Sequence, residues 1–391
     1  MTIKAVICDL HGTLIHNEKP IPGVATMVQE LRGMGIRIVV ASNRVGASKS
    51  LQSAGLEADL ILDKSITKSN KGSPIWVEKT VEKLGLAKNE LAWFGDSKWD
   101  MLSAVNAKII YFNADWSNPD YPYGISITTP GRFAVILREF FNKDMNWFWE
   151  LSTQDANSRP FIIRAIMDAS GAGIQSLRSD LLNFLKYGGN PSVGPFKVRD
   201  FIMLHLIGSI YAEGLFFGTD TWTIYPGHVG GPNKAISPFI LLAARLFRER
   251  YIEDLLIRHT PSADSGQTRS GGLSVGFSNQ INTVCLNRQH QSRIEGKNII
   301  VVDDFTTYGW SFECARNLLY EAGAHHVTCV TIGKYGSTHY VVRPAIGYKW
   351  DPYSPCKHQP SSFIWAALQC HFLDNALPAM SQSYARVGQM V

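Results

Sequence analysis

Residues 299–311 read IIVVDDFTTYGWS, and the rest of the chain is organised around them. Ile299, Ile300, Val301 and Val302 are branched and apolar in sequence, which predicts a short buried strand. Asp303 and Asp304 stand at the C-terminal end of that strand. Hydroxyl residues and Gly309 follow, and a helical pattern begins at Phe312. A strand, a donor-rich loop and a helix N-terminus make a ready anion site, because unpaired backbone N–H groups and the helix dipole point at the loop. Two adjacent carboxylates before it suit a polyol such as a ribose, whose neighbouring hydroxyls can each donate to a carboxylate.

With its two acids, Thr306-Thr307, Gly309 and Ser311, this stretch resembles the phosphoribosyl-pyrophosphate (PRPP) signature of type I phosphoribosyltransferases. Tyr308 departs, standing where the family has a threonine. The resemblance implies that Asp303 and Asp304 hold the ribose hydroxyls and any Mg²⁺ on them. It gives the 5′-phosphate to Thr306, Thr307, Gly309 and Ser311. Upstream, residues 220–228 read as a strand running into a glycine-rich turn, with a helix expected at 238–249. In the family the corresponding loop grips pyrophosphate through backbone amides, which implicates Gly227. An apolar strand ending in Arg258, a polar stretch 262–272 with Gln267 and Arg269, and Asn279 and Asn282 beyond it resemble the competence-protein (ComF) type of phosphoribosyltransferase. That likeness implies a loop closing over PRPP to exclude water, with Arg258 and Arg269 for the pyrophosphate and the loop. His325-His326 has no third ligand spaced to join it and reads as a surface pair.

A chain of 391 residues is long enough for two or three domains. The net charge of +5 is spread along the chain; it suits phosphorylated substrates, and no lysine–arginine cluster offers a nucleic-acid groove. The six cysteines have no CxxC spacing and read as reduced residues of a cytoplasmic protein. No signal peptide is read, and no apolar run reaches the ~18 residues of a membrane span.

From the first residue, strand-like and helix-like segments alternate: strands at 4–10, 36–41, 59–62, 91–94 and 108–112, helices at 24–34, 45–54 and 74–84. This rhythm predicts a parallel sheet covered by helices, with chemistry at the C-terminal strand ends. Those ends carry Asp9-Leu-His11-Gly-Thr, Ser42-Asn43, Lys71-Gly-Ser-Pro and Gly95-Asp96-Ser-Lys-Trp-Asp100. The set resembles the four motifs of the haloacid dehalogenase (HAD) superfamily, mostly phosphatases. The resemblance implies that Asp9 is a nucleophile forming an aspartyl-phosphate. Asp96, Asp100 and the His11 carbonyl would organise Mg²⁺ with Asp9, Ser42 would bind the phosphoryl oxygens, and Lys71 would hold nucleophile and phosphate together. Most family phosphatases have a second aspartate where this chain has His11. Histidine can move that proton near neutral pH, or the position is retired in a domain kept for binding. About 28 residues separate the first and second motifs and about 27 the second and third, which leaves no room for a large cap domain.

Residues 144–215 carry aromatic and apolar residues at helical spacing and read as a helical bridge, with Trp147 and Trp149 in the core. Residues 336–391 read as an irregular tail with a helix at 363–373. The expected architecture is therefore α/β, with two doubly wound parallel-sheet domains: HAD-like at 1–143 and phosphoribosyltransferase-like at 216–335. The expected function is bifunctional, PRPP-dependent transfer to a nitrogenous acceptor plus hydrolysis of a phosphomonoester. The alternative is a catalytically reduced nucleotide-binding or regulatory protein with protein partners in a stress or antiviral-defence assembly.

Overall fold

The computed structural model describes residues 3–119, 123–142, 147–154, 160–170, 175–262, 276–370, 372–373 and 376–390. They form two compact units: residues 1–144, 207–217 and 245–248 make the first, and 145–206, 218–244 and 249–391 the second.

The first unit is built on a six-stranded parallel sheet. Its order is Leu60–Asp63, Arg37–Ser42, Ala5–Asp9, Leu91–Gly95, Ile110–Ala114, Ile125–Ile127. Ala5–Asp9 and Leu91–Gly95 are buried along their whole length, as central parallel strands are when helices cover both faces. The helix Val24–Gly33 shows how the cover forms: Val24, Met27, Val28 and Leu31 recur at helical spacing and are the residues it buries. From Ala5–Asp9 the chain winds outward to one side, then returns to Leu91–Gly95 on the other. The switch of direction opens a crevice at the C-terminal ends of these two neighbours, and it brings Asp9 beside the loop that carries Asp96. Between Asp9 and Ser42 lie only the hairpin Ile15–His16/Lys19–Pro20 and one helix. Between Ser42 and Lys71 lie the helices Ala47–Ser53 and Lys64–Thr67 around the strand Leu60–Asp63. The later segment completes the core: the Tyr211 hydroxyl donates to the Leu91 carbonyl at 2.5 Å, and its ring stacks on Phe216 and Phe247.

The second unit also carries six strands, ordered Arg250–Tyr251, Thr221–Ile224, Asn298–Thr306, His326–Lys334, Pro160–Asp168, Trp149–Gln154. Five run parallel and Trp149–Gln154 is an antiparallel edge. Two elements read as helical in the bridge are therefore strands. Phe161, Ile163 and Ala165 alternate on one face while Ile166 and Met167 are buried as well, because Pro160–Asp168 lies inside the sheet with His326–Lys334 beside it. An apolar run of that length fits either a buried helix or a central strand, and only its neighbours decide. The bridge's other helices form as Gln175–Tyr187 and Val198–Glu213, and Trp147 and Trp149 are buried. In the tail, the helix read at 363–373 is instead the strand Phe363–Gln369, paired antiparallel with Thr338–Pro344. Its Ala-Ala-Leu run favours helix locally, and long-range backbone pairing overrides that preference. All six cysteines are free thiols. Among the described residues no helix is long and apolar enough to cross a membrane.

Candidate active sites

In the first unit the structure gathers Asp9, Asp96 and Asp100, whose carboxylate oxygens lie within 4.8 Å of one another. Asp9 is the last residue of its strand, Asp96 follows Leu91–Gly95, and Asp100 sits in the first turn of the helix Lys98–Ala107. Ser97 caps that helix, accepting from the Asp100 N–H at 3.3 Å, so the cap sets where Asp100 points. The Lys71 ammonium donates to Asp9 and, at 2.8 Å, to Asp100. The indole N–H of Trp93 reaches Asp100 at 3.3 Å, and the Thr13 hydroxyl reaches Asp96 at 3.3 Å. Asn43 accepts from the Lys71 N–H at 2.8 Å, tying the second motif to the third. Ser42 is buried at its strand end, its hydroxyl accepting from the Arg44 N–H at 3.2 Å. His11 stands half-exposed beside this centre, 4.0 Å from Glu18. Its side chain is not part of the carboxylate cluster.

Three carboxyl groups face one ammonium here. Burial is the largest effect on Asp9 and pushes its carboxyl up to about 7; Lys71 opposes this, while Asp100 and Asp96 add to it. Burial likewise raises Asp96, with Asp100 contributing. For Lys71 burial works against the charge, but Asp100 and Asp9 outweigh it and raise its pKa. Excess negative charge on an oxygen-only donor set is what a hard divalent cation relieves, so the cluster fits a metal such as Mg²⁺. His11 is shifted the other way: burial first, then Arg44, lowers its pKa and leaves the imidazole neutral at pH 7.

In the second unit the strand Asn298–Thr306 runs three residues beyond Asp303, so the acidic pair lies within the strand and not past its end. The Asp304 N–H donates to Asp303 at 2.9 Å and the Phe305 N–H to Asp304 at 2.7 Å. Burial and the neighbouring charge of Asp304 push Asp303 upward. Burial is also the largest effect on Asp304, with Lys186 among the groups opposing it. The carbonyls of Thr306, Thr307 and Tyr308 accept from Tyr335 N–H, the Lys334 ammonium and Tyr340 N–H respectively. The loop thus turns its carbonyls into the protein, ahead of the helix Trp310–Glu321 that holds Ser311 in its first turn. Gly309 caps this helix at φ 85°, and a Cβ there would meet the His339 ring at 2.0 Å. Both facts require glycine.

Arg258 ends the strand Leu256–Arg258 and is buried. It donates to the Gly227 carbonyl at 2.8 Å, to Thr283 at 2.5 Å and to Gln280 at 2.8 Å. Its guanidinium is therefore held by protein acceptors and braces the glycine turn. The Gly227 N–H is given to the Gly231 carbonyl at 2.9 Å, so that amide closes the turn. Gln267 and Arg269 lie outside the described residues.

Sequence reasoning missed Asn233, whose amide donates to Asp304 at 3.3 Å, and Lys186 on the helix Gln175–Tyr187. No local motif marks either one. Thr13, Trp93 and Ser97 were within or beside quoted motifs, and hydroxyls flanking paired acids are the signal that could have found two of them.

Residues 15–108, within the first unit, match the haloacid dehalogenase-like hydrolase family, which supports an N-terminal HAD-like hydrolase domain. The match begins after Asp9 and His11. No curated protein matches the chain. Among solved structures, a protein from Lactobacillus delbrueckii subsp. bulgaricus, provisionally described as a phosphoglycolate phosphatase, is 22% identical with a TM-score of 0.28. That alignment covers 30% of this chain and 54% of that one. A HAD-superfamily hydrolase of subfamily IA from Geobacter sulfurreducens is 16% identical over 34% of this chain and 97% of that one, with a TM-score of 0.30. A HAD-superfamily hydrolase from Ehrlichia chaffeensis is 15% identical over 35% of this chain and 97% of that one, with a TM-score of 0.31.

Proposed function

We propose that the first unit is a phosphomonoester hydrolase in which Asp9 is the nucleophile. The observation that carries this is the buried centre of Asp9, Asp96 and Asp100 crossed by the Lys71 ammonium. Asp9, Asp96 and Asp100 would hold Mg²⁺, which neutralises phosphoryl oxygens when bound. A carboxylate oxygen of Asp9 attacks phosphorus, the bond from phosphorus to the ester oxygen breaks, that oxygen leaves with the electron pair and takes its proton from water, and an aspartyl-phosphate forms. Lys71 keeps the nucleophile oriented and offsets the charge of the phosphoryl group. Ser42 donates to a phosphoryl oxygen. Neutral His11 takes the proton of the water that then attacks the aspartyl-phosphate, releasing orthophosphate and restoring Asp9. Phosphate release from p-nitrophenyl phosphate with Mg²⁺ tests this: Asp9→Asn lowers the rate more than ~10³-fold without lowering stability. Equal rates in the two proteins would overturn it.

A second reading concerns the second unit, and the acidic pair beside a loop with inward carbonyls favours it. Asp303 and Asp304 receive the hydroxyls of a phosphorylated ribose such as PRPP, while Thr306, Thr307, Gly309 and Ser311 cradle its 5′-phosphate. Asn233 orients Asp304, and Arg258 holds the Tyr225–Gly231 turn in shape for the pyrophosphate. Pyrophosphate release from PRPP over a panel of nitrogenous bases tests transfer. Binding of PRPP with no release from any base points to the regulatory alternative, and no binding at all removes this reading.

A further inference from the structure

The first unit leaves large apolar side chains in water around its chemistry. Val45, Ile66 and Trp99 are exposed to 71%, 47% and 55%. Each follows closely on the C-terminal end of a sheet strand: Arg37–Ser42, Leu60–Asp63 and Leu91–Gly95 respectively. They thus stand on the rim that bears Ser42, Asp96 and Asp100. Exposed apolar residues beside the C-terminal strand ends are placed where an α/β sheet binds its ligands.

Trp99 is the largest and the most firmly held. It precedes Asp100 directly, on the first turn of Lys98–Ala107. Its six-membered ring lies against Gly72, where an added Cβ would come within 3.1 Å of Cε3. Gly72 adjoins Lys71 and adopts φ +101°, so the loop presents bare backbone to the indole. The loop is clamped on both sides: Gly72 N–H donates to Ser103 at 2.7 Å, Asn106 donates to the Gly72 carbonyl at 2.7 Å, and Ser103 donates to the Trp99 carbonyl at 2.9 Å. An indole fixed on one side and open on the other, directly before Asp100 in sequence and packed on the glycine that follows Lys71, is a stacking platform with its orientation already set.

We propose that Trp99 selects phosphomonoesters whose leaving group carries a planar aromatic ring, a nucleobase or an aryl group, which stacks on the indole while the phosphoryl group sits at Asp9. The inference rests on the hydrolase reading for the location of the phosphoryl group.

The test measures binding by calorimetry in the full-length protein with Mg²⁺, using adenosine 5′-monophosphate, glycerol 3-phosphate and inorganic phosphate as probes. Wild type, Trp99→Ala and Trp99→Phe are compared. Trp99→Ala weakens the adenosine ligand about 10-fold and leaves the other two within about twofold, and Trp99→Phe restores most of the loss. An equal loss for all three probes, or no loss for any, overturns the platform. Inorganic phosphate isolates the other premise. No binding of it sinks the hydrolase reading, whereas phosphate binding without a Trp99-dependent aromatic preference sinks the platform alone.

Discussion

Gly12 has no room for a side chain: a Cβ there would lie 2.3 Å from Asp96 Oδ2 and 2.8 Å from the Ser117 hydroxyl. Its φ of +92° adds a second reason, since L side chains avoid that region. The backbone therefore passes directly over a carboxylate of the proposed metal cluster, and glycine is what allows it. Gly12→Ala displaces Asp96 and raises the Mg²⁺ concentration for half-maximal phosphate release by about 10-fold or more, as loss of a ligand-orienting contact does. An unchanged Mg²⁺ titration would show that Asp96 is not a ligand. Asp9, Asp96, Asp100, Lys71 and Ser42 were all legible as residues, because each ends a strand or opens a helix within a short motif. Their mutual contacts were not, because they join positions up to 91 residues apart, from Asp9 to Asp100.

At the scale of the element, the helix Trp310–Glu321 is pinned by a buried ionic knot. Arg316 donates to Glu313 Oε2 at 2.6 Å, His339 lies 3.1 Å from Oε1, and the Val342 N–H donates at 2.8 Å. Burial alone would push the Glu313 carboxyl up, but Arg316 and the contact with His339 outweigh it and hold it below its ordinary 4.5. A carboxyl depressed in the folded state contributes stability above its unfolded value, and that contribution is lost as pH falls toward the folded one. Glu313→Gln therefore costs about 3–5 kcal/mol at pH 7 by leaving Arg316 buried without its counter-charge. It also flattens the loss of stability below about pH 4.5. Chemical denaturation of the full chain across pH reads both effects; parallel acid limbs in wild type and variant would refute the assignment. The helix itself was readable from its apolar spacing. The knot was not, because Glu313 and Arg316 look like an ordinary exposed i,i+3 pair until the strand Thr338–Pro344 covers them.

For the whole molecule, each proposed activity belongs to residues of one unit. Asp9→Asn abolishes phosphate release and leaves PRPP binding unchanged, whereas Asp303→Asn with Asp304→Asn abolishes PRPP binding and leaves phosphate release unchanged. Measuring both activities in both variants checks the assignment, and loss of both from either variant would contradict it. The amino-acid sequence by itself determined the alternation of elements in the first unit, the motifs at its strand ends, and the strand–loop–helix around Asp303 and Asp304. Local patterns suffice there, because apolar periodicity and helix-start residues act over a few positions. Only the tertiary structure decided that Pro160–Asp168 and Phe363–Gln369 are strands, that Arg258 is engaged within the protein, and that residues 207–217 belong to the first unit's core. In each case a partner distant in the sequence supplied the hydrogen bonds or the buried surface, and short-range propensity carries no information about that partner.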